Sequence, residues 1–208
     1  MNLKPRQLAE ALDVIRSLRG SDRYNSMVAN LLQDIDPSKP LGTDLFGAVA
    51  RLSWSMAFEA VALRVNPKTH KIEVYLRQRS AEEPAYPSQW HAPGSVRRPG
   101  ESWRHVADRL EKEFGVPIVD FKEVNTVDTA EARGSFESSI FLVTLDSHRD
   151  PREDDRHRWF PMDALPEGMV DIHRDQILPI AFEWFKNFNH TLETFEGRIK
   201  NEEDLSDR

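Results

Sequence analysis

Two proline–glycine turns, Pro93-Gly94 and Pro99-Gly100, lead into an amphipathic stretch that runs from Ser102 to Gly115. This turn-then-helix unit constrains the chain more than any other. Trp103, Val106, Leu110 and Phe114 recur at spacings of three, four and four, which is one buried helical face. Ser102 stands where an N-cap is needed, and Gly115 where a helix ends in left-handed backbone. A rotation of about 100° per residue puts His105, Arg109, Lys112 and Glu113 on a flank beside that face. A tight loop therefore delivers the chain to a helix carrying a cluster of ionisable groups.

Ahead of this unit lie three amphipathic segments. Residues 4–19 place Leu8, Leu12, Ile15 and Leu18 at helical spacing, with Pro5 in the first turn, where its missing N–H does no harm. A second helix begins near Ser21 and carries Val28, Leu31, Leu32 and Ile35; a linker over 36–42 follows. Thr43 is expected to cap a third helix with Leu45, Phe46, Val49 and Leu52. From Met56 the pattern changes to strands. Ala60–Val65 and Lys71–Arg79 alternate around the turn Asn66–His70 and read as a hairpin, followed by a loop over 82–86. Two further strands are expected over 117–128 and 136–145, then a charged loop over 146–158. A Trp159-Phe160-Pro161 turn and a helix from Ile172 to Phe188 complete the pattern. In the tail, Leu192, Phe195 and Ile199 suggest a short helix. This order predicts an α/β fold, a mixed sheet with helices on both faces. The division is an N-terminal helical extension over 1–54, a main domain over 55–188 and an acidic tail over 189–208.

Charge and composition remove several function classes. The net charge of −7 argues against nonspecific nucleic-acid binding. With no cysteine there is no disulfide framework and no thiolate zinc site. Glu10 and Asp13 stand where a signal peptide would be apolar, and no apolar run approaches membrane-spanning length, so a cytoplasmic protein without a membrane partner is expected.

Trp90, Pro93, Gly94, Glu101, Gly115 and Val116 together resemble the Nudix box. This is the loop–helix motif of hydrolases that cut diphosphates linked to another moiety. Its pattern is G-x5-E-x7-R-E-U-x-E-E-x-G-U, with U aliphatic and W-x-x-P-G-G as a common lead-in. Trp90, Pro93 and Gly94 match the lead-in, with Ser95 at the second glycine. Glu101 matches the first glutamate, and Gly115 and Val116 match the close. Between Glu101 and Gly115 the chain is one residue short. Reading back from Gly115 keeps the helix continuous and leaves Leu110 as the buried aliphatic. Asp108 then stands at the arginine, and Arg109, Lys112 and Glu113 at the three glutamates. Reading forward from Glu101 makes Arg109 the arginine and puts the gap inside the helix. The first reading is preferred, because a deletion inside a helix turns every later side chain by about 100°.

The resemblance implies a Nudix-type α/β/α sandwich with a mixed sheet over residues 55–188, preceded by the small helical extension. In such enzymes carboxylates hold Mg²⁺ or Mn²⁺, which neutralises the leaving phosphate and activates water. Glu113 and Glu101 are the candidate catalytic carboxylates, and both are candidate metal ligands together with Glu153. Arg77, Arg79, Arg97, Arg98, Arg109 and Lys112 are candidate substrate-binding cations. Pairing along the helix, such as Asp108 with Lys112, is the plainer role for the last two. A lysine ammonium about 4 Å from a divalent ion would repel it by roughly 8 kcal/mol at an effective dielectric near 20. Two readings stay open. One is a hydrolase of a nucleoside-diphosphate-linked substrate, with a reduced metal site and Mg²⁺ or Mn²⁺ as cofactor. The other is a catalytically silent module, without a metal, that binds a small phosphorylated ligand or a protein partner. A homodimer through the N-terminal helices is compatible with either.

Overall fold

The computed structural model describes residues 5–36, 39–131 and 134–188. They divide into two compact units at the Pro40–Leu41 junction. The first unit holds α1 (Pro5–Ser17) and α2 (Asp22–Gln33). Ser21 caps α2, its hydroxyl accepting the Tyr24 N–H at 3.2 Å. No residue of α2 is buried, and Val14 and Leu31 are 62% and 67% exposed. The helix expected around Leu192, Phe195 and Ile199 lies outside the described residues. Among the described residues no helix is long and apolar enough to cross a membrane.

The second unit opens with α3 (Thr43–Ala50). Its N-cap is Gly42 rather than Thr43, because the entry requires φ +73, which glycine adopts without strain; Thr43 is the first helical residue. The strands are β1 (Trp54–Val61), β2 (Leu63–Val65), β3 (Ile72–Gln78), β4 (Trp90–His91), β5 (Gly94–Val96), β6 (Ile118–Glu131), β7 (Gly134–Leu145) and β8 (His157–Pro161). The motif helix α4 spans Trp103–Phe114, and α5 covers residues 171–188 with a π-turn at His173–Ile177. One four-stranded sheet runs β5-β1-β7-β6 and is mixed, with β1 parallel to β7 and the other pairs antiparallel. The other joins β2, β3, β4 and β8, all antiparallel.

Side-chain alternation sorts the strands into two cores. Phe58, Tyr75 and Phe141 point to the α4 side, where they meet Val106, Leu110 and Phe114. Val61, Val74, Leu76 and Ile140 point the other way, against Ile177, Leu178 and Ala181 of α5. Phe58 stacks on Phe141 with ring centroids 3.9 Å apart. Helices thus cover both faces of the strands, the α/β/α arrangement expected.

Three local expectations are corrected. A single strand was expected over Ala60–Val65; the chain instead breaks at Ala62, whose carbonyl accepts the Tyr75 N–H, and β1 reaches back to Trp54. Because β1 is buried on both faces near its end, its period-two signal is hidden there. The Trp159-Phe160-Pro161 turn is a strand, with Phe160 opposite Val74 and Trp159 opposite Tyr75. The short strands β4 and β5 lie inside what was expected to be an irregular motif loop.

Candidate functional site

The motif helix is fixed at both ends by local chemistry. The Ser102 hydroxyl accepts the His105 N–H at 3.3 Å, and His105 Nδ1 accepts the Ser102 N–H at 3.2 Å, a reciprocal cap. At the other end Gly115 takes φ +73, and a Cβ there would come within 2.9 Å of Arg152 Cβ. His105 is therefore a capping residue rather than a member of the ionisable flank. Upstream, Trp90 is buried with its ring edge-on to Phe160, and its backbone is clamped between Gly168 and Val170.

Arg109 ties the helix to the loop. Its Nε and Nη2 reach the two carboxylate oxygens of Glu101 at 3.0 and 2.8 Å. Nη1 donates to the Ser95 hydroxyl at 2.8 Å, and Nη2 also donates to the Val96 carbonyl at 3.0 Å. Burial pushes the Glu101 carboxyl up, but hydrogen bonds from Arg109 and the Arg98 N–H, with both arginine charges, hold it below the ordinary value. Arg97 donates from Nε to the Glu101 carbonyl at 2.6 Å and lies over the Trp103 ring. The Arg98 N–H donates to Glu101 Oε2 at 2.8 Å, and its guanidinium comes within 4.0 Å of the same carboxylate.

Glu113 faces the β3 end. Its carboxylate lies 3.0 Å from Arg77 Nε and 4.0 Å from Lys112 Nζ, while Lys112 itself is 78% exposed. Arg77 also holds Glu83 at 2.5 Å and approaches His91 at 3.4 Å. Arg79 pairs with Glu83 at 2.9 Å. Glu153 is exposed in the loop before β8, where Asp154 is held by His157 and Arg152. The expected Asp108–Lys112 pair is replaced by Asp108–Arg104 at 2.7 Å, since Arg104 lies one turn earlier and also reaches Glu111. The structure thus gathers Glu101 with Arg97, Arg98 and Arg109, and Glu113 with Arg77 and Lys112. These are carboxylates bound by cations. Among the described residues no group of three or more His, Cys, Asp or Glu side chains could hold a metal ion. This donor set does not fit the divalent ions that the Nudix resemblance implies.

A cavity of about 220 Å³ opens behind the motif loop, lined by β1, β5, β7, α3 and α5. Glu59, Arg79, His91, His173, Ser95 and Ser138 supply its polar wall. The buried His173 accepts the Ala92 N–H on Nδ1 at 3.3 Å, which leaves the proton on Nε2, 3.7 Å from the Glu59 carboxylate. Burial, reinforced by the Arg79 charge, pushes the His173 imidazole down to about 3. Burial and neighbouring charges likewise hold His91 well below its ordinary value. Both imidazoles are neutral at pH 7. Sequence reasoning missed Glu59, Glu83 and His173. Glu59 did leave a signal, as the lone charge in the apolar run Met56–Leu63.

No protein-family model and no curated protein matches the chain in sequence. Solved structures do match its fold. A mutT/nudix family protein from Listeria innocua is 16% identical, with 68% of this chain and 98% of that one covered and a TM-score of 0.53. The NUDIX domain of Shewanella oneidensis NrtR, crystallised with ADP ribose, is 19% identical over 76% of this chain and 97% of that one, with a TM-score of 0.52. A longer Shewanella oneidensis NrtR chain matches at 18% identity and a TM-score of 0.51, over 64% of this chain and 63% of its own length. With the strand order, the two-sided core and the turn-then-helix unit, these likenesses establish that the chain has the Nudix fold, an α/β/α sandwich built on a mixed sheet.

Proposed function

We propose that this chain is a Nudix-fold binding module for a small phosphorylated ligand rather than a metal-dependent hydrolase. One observation carries the reading: the carboxylates of the motif are held by guanidinium groups, Glu101 by Arg109 and Glu113 by Arg77. A guanidinium neutralises a carboxylate but cannot lower the pKa of a bound water, as hydrolysis of a diphosphate requires. Binding needs less. The cavity beside the loop supplies a concave, partly polar wall, and Arg97 and Arg98 stand at the end of β5 that lines it.

The NrtR NUDIX domain was crystallised with ADP ribose, which makes that compound the first probe. Calorimetry in EDTA should show binding of ADP ribose or of a nucleotide sugar, with no phosphate release when Mg²⁺ or Mn²⁺ is added. Metal-dependent turnover that disappears in Glu113→Gln would overturn the reading and restore the hydrolase. Self-association through α1 and α2 is the partner arrangement favoured by the exposed Val14 and Leu31, and the mass in solution tests it.

A further inference from the structure

We infer that the Glu83 carboxylate holds the place of a ligand phosphate in the free protein, and that a sugar phosphate binds by exchanging for it on Arg77 and Arg79. This rests on the binding-module reading and adds the position of the phosphate and the class of ligand. Arg77 Nη2 donates to Glu83 Oε1 at 2.5 Å, and Arg79 Nε lies 2.9 Å from Oε2. Two guanidinium groups that converge on the two oxygens of one anion make the fork that phosphate recognition uses. A phosphomonoester brings a charge of about −1.5 to −2 at pH 7 and three acceptor oxygens, more than the single charge and two oxygens of a carboxylate. The exchange leaves the neighbouring contacts in place. Arg77 keeps Glu113 at 3.0 Å and His91 at 3.4 Å, and Arg79 has a further interaction of its own.

The loop that carries Glu83 is held closed through that carboxylate. It joins β3 to β4, and the Glu83 side chain is 22% exposed, so a solute can reach it. Burial pushes the Glu83 carboxyl up, but the Ser80 N–H, the Arg77 hydrogen bond and both arginine charges hold it below its ordinary value. The exchange is therefore of one anion for another. Tyr86 and Ser88 of the same loop take left-handed backbone, φ +51 and +60, which residues with side chains adopt only under constraint from their surroundings. The Glu83 contacts, with the Ser80 N–H at 3.2 Å, supply part of that constraint. Arg79 and Tyr86 line the cavity, and Arg77 touches His91, which also lines it. A phosphate on the two arginines would thus adjoin the cavity. By liquid volume, 220 Å³ corresponds to about seven waters. That is room for one sugar ring, and not for a whole nucleotide.

The test uses full-length protein in EDTA at neutral pH. Glucose 6-phosphate, glucose and inorganic phosphate are titrated by calorimetry into wild type and Glu83→Gln. Glucose 6-phosphate should bind the variant at least about tenfold tighter than wild type, the scale of one charge-assisted contact no longer competed for. In wild type, saturating glucose 6-phosphate should speed hydrogen exchange of the amides over 80–89 by at least about tenfold, as Glu83→Gln does without ligand. That wild-type measurement decides the matter even if the variant does not fold. Unchanged or weaker binding to folded Glu83→Gln, or wild-type exchange that stays constant or slows, overturns the inference and leaves the module reading standing. Glucose binding as tightly as its phosphate overturns it as well. Inorganic phosphate binding as tightly as glucose 6-phosphate keeps the exchange and overturns the sugar-phosphate class. Binding of none of the three overturns the inference, and the ADP ribose titration then decides the module reading by itself.

Discussion

Replacing Arg109 by methionine keeps the aliphatic stem and removes the guanidinium, so it isolates the four polar contacts described above. Glu101 would lose partners on both oxygens, and the Ser95 hydroxyl and Val96 carbonyl would each lose a donor. The side chains of Arg109 and Glu101 are only 26% and 17% exposed, so water restores little of the loss. Breaking a fully buried pair from one side costs about 3–5 kcal/mol, and this partly screened one should cost about 2–4 kcal/mol. For a chain of this size that corresponds to a fall in Tm of about 4–16 °C. Urea melts of wild type, Arg109→Met, Glu101→Gln and the double variant should give a coupling energy of about 1–3 kcal/mol. The folded Glu101 carboxyl is held below 4.5, so its share of the stability is present above that pH and is lost as the pH falls through the folded value. The cost of Arg109→Met should therefore shrink in acid. A loss of under about 0.5 kcal/mol at neutral pH would refute the staple. Loss of ligand affinity at unchanged stability would return Arg109 to the binding cations.

Three further outcomes are expected. Gly134→Ala should destabilise by at least about 2 kcal/mol in a thermal melt, because φ is +142 and a Cβ would press into the Ala50 carbonyl, unseating α3 from β7. His173 is held neutral with its value near 3 against 6.5 unfolded, so wild type should lose stability as the pH falls from 6.5 toward 3. His173→Asn, which keeps an acceptor for the Ala92 N–H, should flatten that slope in urea melts at successive pH values. Millimolar Mg²⁺ should move Tm by less than about 1 °C, whereas a site filled at a hundredfold its Kd would add about 2.7 kcal/mol.

The sequence carried the α4 unit almost whole, since caps, apolar spacing and flanking turns are local properties that tertiary packing left unaltered. It carried β2–β3, β6 and β7 for the same reason. It carried less where both faces are buried. Along β1 the apolar run gives no period, and β8 hides in Trp159-Phe160-Pro161 because pairing with β3, over eighty residues away, makes it a strand. The site was legible as a set of residue types and not as a set of partners. Arg77 and Glu113 lie thirty-six residues apart and meet only because α4 packs across the end of β3. Glu59 and His173 belong to opposite ends of the domain and have no shared motif to mark them. Asp108 chose Arg104 over Lys112, a local alternative that spacing alone does not separate.

The cations around α4 bear directly on metal binding. Helix α4 is regular from Trp103 to Phe114 and capped at both ends. Arg109 projects from the middle of this helix. A long, jointed side chain still lets its guanidinium reach Glu101 eight residues earlier. A divalent ion bound at either carboxylate would have to release Glu101 from Arg109 or Glu113 from Arg77. At about 2–4 kcal/mol for a partly buried pair, that displacement would lower affinity by roughly 10–10³. Replacing Lys112 by glutamate leaves that cost in place, because Lys112 is the exposed and loosely held member of the set. The cations to remove are Arg77 and Arg109, and removing them leaves Glu113 and Glu101 without these guanidinium partners. Metal affinity in this chain is therefore opposed by the same contacts that stabilise the motif.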